Sequence, residues 1–152
     1  MYLKFASISA AVGLAFSASP ALAGPFAPAA GVAGSTAVHK DSADFVQWAT
    51  GHENYLPGPN VDAQWKTPEK ALGKAVGDSF DIVSLGDQGM ITLTFDGFLY
   101  NGDGWDFAVF ENSVTNTFLE LAFVEVSSNG ADFFRFPSIS LTPGPVNAFG
   151  NV

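Results

Sequence analysis

The chain has 152 residues, of which 47% are hydrophobic and 14% aromatic, a formal net charge of −9, two histidines and no cysteine. That acidity excludes a protein that tracks nucleic-acid phosphates or clings to anionic membranes, because both tasks need clustered cations. Without cysteine there are no disulfides and no thiolate metal sites, so apolar packing, alone or helped by a metal, must hold the fold, and 15 phenylalanines supply the material.

The chain opens with Lys4, an uncharged apolar stretch from Phe5 to Ser19, the breaker Pro20 and the small-x-small sequence Ala21-Leu22-Ala23. This pattern predicts a cleaved secretory leader over residues 1–23, with Gly24 as the mature N-terminus. Its apolar part is shorter than the about 20 residues of a membrane span; an uncleaved anchor is the alternative. Residues 24–38 are rich in Ala, Gly and Pro without periodicity and read as a flexible lead-in. The folded domain is then expected over residues 39–152.

Residues 41–50 place Phe45, Trp48 and Ala49 at helical spacing, with Asp41 or Ser42 as cap and Gly51 as stop, and predict one short helix. Residues 52–79 read as irregular, apart from a helical turn over residues 67–72 with Pro68 at its first position. Residues 80–85 predict a strand, and Gly86-Asp87-Gln88-Gly89 a tight connection. Residues 90–95 alternate, with Ile91, Leu93 and Phe95 against Thr92 and Thr94, the mark of a strand with one buried face. The unbroken apolar run Phe107-Ala108-Val109-Phe110 predicts a central strand covered on both faces. Residues 118–127 predict a long strand, Ser128-Asn129-Gly130 a turn, and residues 133–136 a last strand ended by Pro137. The Ser-, Thr-, Pro- and Gly-rich run that follows leaves the domain without a closing strand, as a piece of a longer protein would. Many turns, many aromatics and few long runs of helix formers predict a mostly β fold: a jelly-roll-like β-sandwich with a short N-terminal helix.

Candidate chemistry is concentrated in the Gly-rich acidic loop. Asp96, Asn101, Asp103, Asp106, Glu111 and Asn112 bring six oxygen-bearing side chains close in sequence. Calcium takes six to eight oxygens, which makes this loop a candidate Ca2+ site, although its spacing is not that of an EF-hand. The alternative is a solvated turn whose Asp and Asn side chains cap their own backbone. Trp105, flanked by Gly and Asp, is a candidate platform for stacking a sugar ring. Glu111, Glu120 and Glu125 lie in apolar strands, and Arg135, the only arginine, is expected to pair with one of them unless all face solvent. His39 and His52 offer no credible Ser-His-Asp triad or zinc site, and the many carboxylate pairs give no specific sign of a glycosidase.

Three segments carry a resemblance. They are Ala71-Leu72-Gly73 with Ser84-Leu85-Gly86-Asp87-Gln88-Gly89 and the strand after it, then residues 101–112 (NGDGWDFAVFEN), then residues 120–130 (ELAFVEVSSNG) closed by Phe134-Arg135-Phe136-Pro137. Together they resemble a family of exported bacterial cell-surface proteins, many of which carry a C-terminal PEP-CTERM sorting signal. The layout is also similar, more loosely, to galactose-binding, discoidin-like jelly rolls. The resemblance implies a surface location and a β-sandwich and supplies no reaction. The chain departs from the pattern in having no Pro-Glu-Pro segment, apolar span or basic tail, so membrane anchoring by that route is not expected to be encoded in residues 1–152. The expected role is a non-catalytic extracellular or cell-surface structural or adhesion module, calcium-stabilised if the acidic loop holds metal, with extracellular polysaccharide or other surface proteins as partners. A carbohydrate-binding module is the alternative, and a glycoside-active enzyme the third reading.

Overall fold

The structure, a computed structural model, describes residues 2–7, 30–33, 35–111 and 122–137. It is mostly non-helical. Five strands, β1 (Tyr2–Ser7), β2 (Gly51–Leu56), β3 (Met90–Thr94), β4 (Ala122–Ser127) and β5 (Phe134–Arg135), form one antiparallel sheet in the order β2-β3-β1-β4-β5. A second sheet is not among the described residues.

The alternating run predicted over residues 90–95 is β3, where β-branched residues suit the pleat. The strand predicted over residues 118–127 appears as β4; its first part lies outside the described residues. The strand β1 comes from the segment read as a leader. It pairs with β3 (Leu3 opposite Leu93, Phe5 opposite Ile91) and with β4 (Leu3 opposite Val126, Phe5 opposite Val124). Both neighbours run antiparallel to β1, so β3 and β4 run parallel to each other across it.

The period of two puts Ile91, Leu93, Val124 and Val126 on one face. Ile91 is buried there, with Tyr55, Ala71, Leu85, Phe95 and Phe107 packed over it. The opposite face holds Thr92, Glu125 and Ser127, all buried although polar. The expected single buried face is thus two at the centre of the sheet. Glu125 is matched by Arg135 across the β4–β5 ladder: Arg135 Nε donates to Glu125 Oε1 at 2.8 Å and its Nη2 lies 2.7 Å from the same oxygen. The expected cross-strand pair is therefore made with Glu125, and the guanidinium also lies 4.0 Å over the Phe123 ring.

Three predicted elements differ from the structure. Residues 41–50 contain turns and no helix. The Ser42 hydroxyl accepts from the Asp44 N–H and donates to the Asp44 carboxylate, a local alternative to helical bonding, and a segment this short cannot hold a helix by propensity. Its aromatics instead join Phe110, with Phe45 and Trp48 ring centroids 5.4 and 5.5 Å from that of Phe110. Residues 80–85 form no strand because their backbone is engaged elsewhere. Lys70 Nζ donates to Phe80 O, Thr67 Oγ1 to Ile82 O, Tyr55 OH to Ser84 O and the Gly58 N–H to Leu85 O, while the Ser84 N–H donates to Trp65 O. Residues 107–110 form no strand either: they lie over the sheet, Phe107 against Phe136 at 5.4 Å. The position a central strand would take is filled by β1.

The turn before β3 forms as expected, with Gly89 N–H donating to Gly86 O at 3.0 Å. It is pressed against Pro57-Gly58 so closely that a Cβ at Gly58 would fall on the Asp87 carbonyl and one at Gly89 on the Leu85 carbonyl. Helical structure among the described residues is two 3-10 turns, Ala63–Trp65 and Pro68–Ala71, the second with Pro at its start as predicted.

Candidate functional site

The acidic loop follows β3 and stays outside the ladder. Asp96, Asn101, Asp103, Asp106 and Glu111 are all exposed; Asn112 lies outside the described residues. Of these, Asp106 reaches back to the loop, its Oδ1 accepting from the Gly102 N–H at 2.8 Å, while Gly104 takes a positive φ of 104° and lets the chain reverse between them. This is a side-chain-capped turn. Among the described residues, no three His, Asp or Glu side chains gather closely enough to hold a metal ion.

Trp105 is 81% exposed, as its Gly and Asp neighbours predict. It does not stand alone. Phe98 is equally exposed and its ring lies 6.2 Å from that of Tyr100, the planes tilted by 44°. Phe98 and Leu99 form one wall of a cleft of about 390 Å³ whose other side is Val126, Ser127, Ser128 and the 72%-exposed Phe134. That volume sits at the small end of the about 300–1,000 Å³ typical of ligand pockets. Its far wall is fixed by hydrogen bonds: Ser127 Oγ accepts from the Asn129 and Gly130 N–H groups, and Asn129 Oδ1 accepts from the Ala131 and Asp132 N–H groups, locking the turn between β4 and β5. The cleft can seat one apolar or ring-shaped group, such as a sugar face or an aromatic side chain.

Sequence reasoning picked Trp105 and passed over Phe98 and Phe134. The same signal was present at Phe98-Leu99-Tyr100, set between Gly97 and Asn101-Gly102; Phe134 was concealed by its place in a strand.

A second charged cluster ties Lys40 and Asp41 to Lys74, just past the second 3-10 turn. Lys74 Nζ lies 2.6 Å and Lys40 Nζ 3.1 Å from the Asp41 carboxylate, and these hydrogen bonds, Lys74 first, hold the Asp41 pKa down to about 2. Exposed pairs of this kind position a loop and add little stability. Burial pushes the Tyr55 phenol above its ordinary value, consistent with its donating role to Ser84 O.

No protein family, curated protein or solved structure matches this chain.

Proposed function

We propose that this chain is an exported, non-catalytic module of a bacterial cell surface, a structural or adhesion element that makes contact through the cleft between Phe98-Leu99 and the β4–β5 turn. The observation that carries this reading is the pair of exposed phenylalanines facing one small cleft whose floor belongs to the sheet. Exposed aromatic patches of this kind are costly in water and mark contact sites. The leader pattern and the resemblance of residues 71–137 to exported surface proteins support the location, and the same resemblance supports a jelly-roll-like sandwich of which this sheet is one layer.

Carbohydrate binding is the second reading, favoured by ring walls beside the exposed Ser128 hydroxyl. The test is retention of the purified protein on immobilised bacterial polysaccharides, compared with Phe98→Ala, Phe134→Ala and Trp105→Ala. Loss of retention in the first two with Trp105→Ala unchanged assigns the cleft. Loss confined to Trp105→Ala assigns the acidic loop. No retention on any glycan removes the carbohydrate reading, and unchanged attachment of cells displaying Phe98→Ala removes the adhesion reading as well. N-terminal sequencing of the exported protein, expected to begin at Gly24, tests the location.

A further inference from the structure

We infer that β1 is a placeholder, and that residues 107–110 replace it as the central strand once the leader is removed. This rests on the leader reading proposed above. Cleavage after Ala23 takes Tyr2–Ser7 out of the sheet and exposes the facing ladder groups of β3 and β4, the two strands that β1 joins. Unpaired backbone at the centre of a sheet is costly, so the slot must fill or the sheet must collapse.

The topology selects the occupant. Because β3 and β4 run parallel to each other, the slot takes a strand antiparallel to both. Residues 107–110 lie between them in sequence. Residues 95–106 would then connect at one end of the sheet and residues 111–121 at the other, giving an uncrossed up-down-up meander. No other order of elements is disturbed. The residue pattern fits as well. In the slot, Leu3-Lys4-Phe5 stand opposite Leu93-Thr92-Ile91 on one side and Val126-Glu125-Val124 on the other. Phe107-Ala108-Val109 in the same register places Phe107 and Val109 in the apolar rows and Ala108 between Thr92 and Glu125, where Lys4 now stands in the ladder. Phe110 falls between Met90 and Phe123.

The segment is also already at hand and only partly buried. Phe107 packs in the layer over Ile91, whereas Val109 is 47% and Phe110 40% exposed. While the leader is attached, the two segments compete as tethered parts of one chain. Cutting the tether makes rebinding of the leader bimolecular and leaves residues 107–110 with the advantage of effective concentration. Precursor and mature protein therefore differ in which segment forms the central strand.

The test uses the full chain carrying a protease site within residues 24–29, cut in place. Hydrogen exchange is followed before and after. Before cutting, the amides of residues 3–6 are protected and those of 108–110 exchange freely. After cutting, the N-terminal fragment separates on gel filtration and residues 108–110 gain at least tenfold protection. A Val109→Cys/Val124→Cys pair, clean in a chain without cysteine, oxidises to a disulfide after cutting and not before. A fragment that stays bound, or residues 108–110 that still exchange freely after it leaves, overturns the inference. Equal crosslinking before and after does the same. An exported chain that still begins at Met1, with the exchange result intact in the cut protein, refutes the leader reading and leaves the strand replacement standing.

Discussion

Arg135→Met removes a charged partner of Glu125, a carboxylate that is 8% exposed. Arg135 makes two contacts to Glu125 Oε1, at 2.8 and 2.7 Å, and its guanidinium covers the Phe123 ring at 4.0 Å. A hydrogen bond to a charged group contributes about 1.5–3 kcal/mol, and a half-exposed cation over an aromatic ring about 0.5–1 kcal/mol more. The arginine side chain is half exposed, which places the first term at its lower end, so the expected loss is about 2–3 kcal/mol. At the roughly 2–4 °C per kcal/mol of a domain this size, the melting temperature falls by roughly 5–10 °C. The asymmetry of burial gives a sharper expectation. Glu125→Gln leaves behind an arginine that water can reach, and costs less than Arg135→Met, which takes a cation away from a carboxylate that water barely reaches. Denaturant unfolding of both single variants and the double variant yields the coupling energy. A coupling below about 0.5 kcal/mol, typical of surface pairs, or the reverse order of the single variants, would refute a buried, structural ion pair here.

The glycine clasp before β3 makes a second expectation. Gly58→Ala and Gly89→Ala each drive a methyl onto a backbone carbonyl and lose about 1–3 kcal/mol by urea unfolding, whereas Gly102→Ala, whose Cβ would sit 3.6 Å from Asp106 Oδ1, stays within about 0.5 kcal/mol of the parent. Asp41 has its pKa lowered from 3.8 to about 2 in the folded protein, so its contribution is complete above about pH 4 and fades as the pH falls towards 2. The melting difference between the parent and Asp41→Asn is therefore largest at neutral pH and shrinks steadily between about pH 4 and pH 2, and a difference that does not shrink over that range contradicts the assignment. Asp106→Ala removes the acceptor for the Gly102 N–H and costs about 0.5–1.5 kcal/mol by thermal melting. A millimolar-calcium shift in the melting of the parent that Asp106→Ala abolishes would reassign this turn as a metal site.

What was legible in the sequence was whatever depended on local pattern. The alternation through Ile91 and Leu93, the Pro68 turn, the Gly86–Gly89 connection and the exposed Trp105 could each be read from a few neighbouring residues. The failures share one cause, competition from partners distant in sequence. Residues 80–85 have strand composition, yet Tyr55, Gly58, Thr67 and Lys70 capture their carbonyls. Residues 41–50 have helical spacing, yet Phe45 and Trp48 pack on Phe110, which no local period reports. Residues 107–110 have the composition of a central strand, and a segment from the far N-terminus holds that place. The Glu125–Arg135 pair was half legible: an acid in an apolar strand called for a cation unless it faced solvent, and both that choice and the one among three glutamates required the register. At the candidate site, flanking turn residues exposed Trp105, while the cleft itself needed β5 folded back beside β4.

The margins of the sheet carry their own consequence. At one side, β5 is two residues long and Pro137 follows after one intervening residue; at the other, β2 slips register between Glu53 and Leu56, with Asn54 in a left-handed conformation at φ 51°. Neither border offers a long, straight row of donors and acceptors to a neighbouring molecule. Copies of this chain packed closely together would therefore resist zippering into fibrils through these rims, leaving side-chain contacts to govern how they associate.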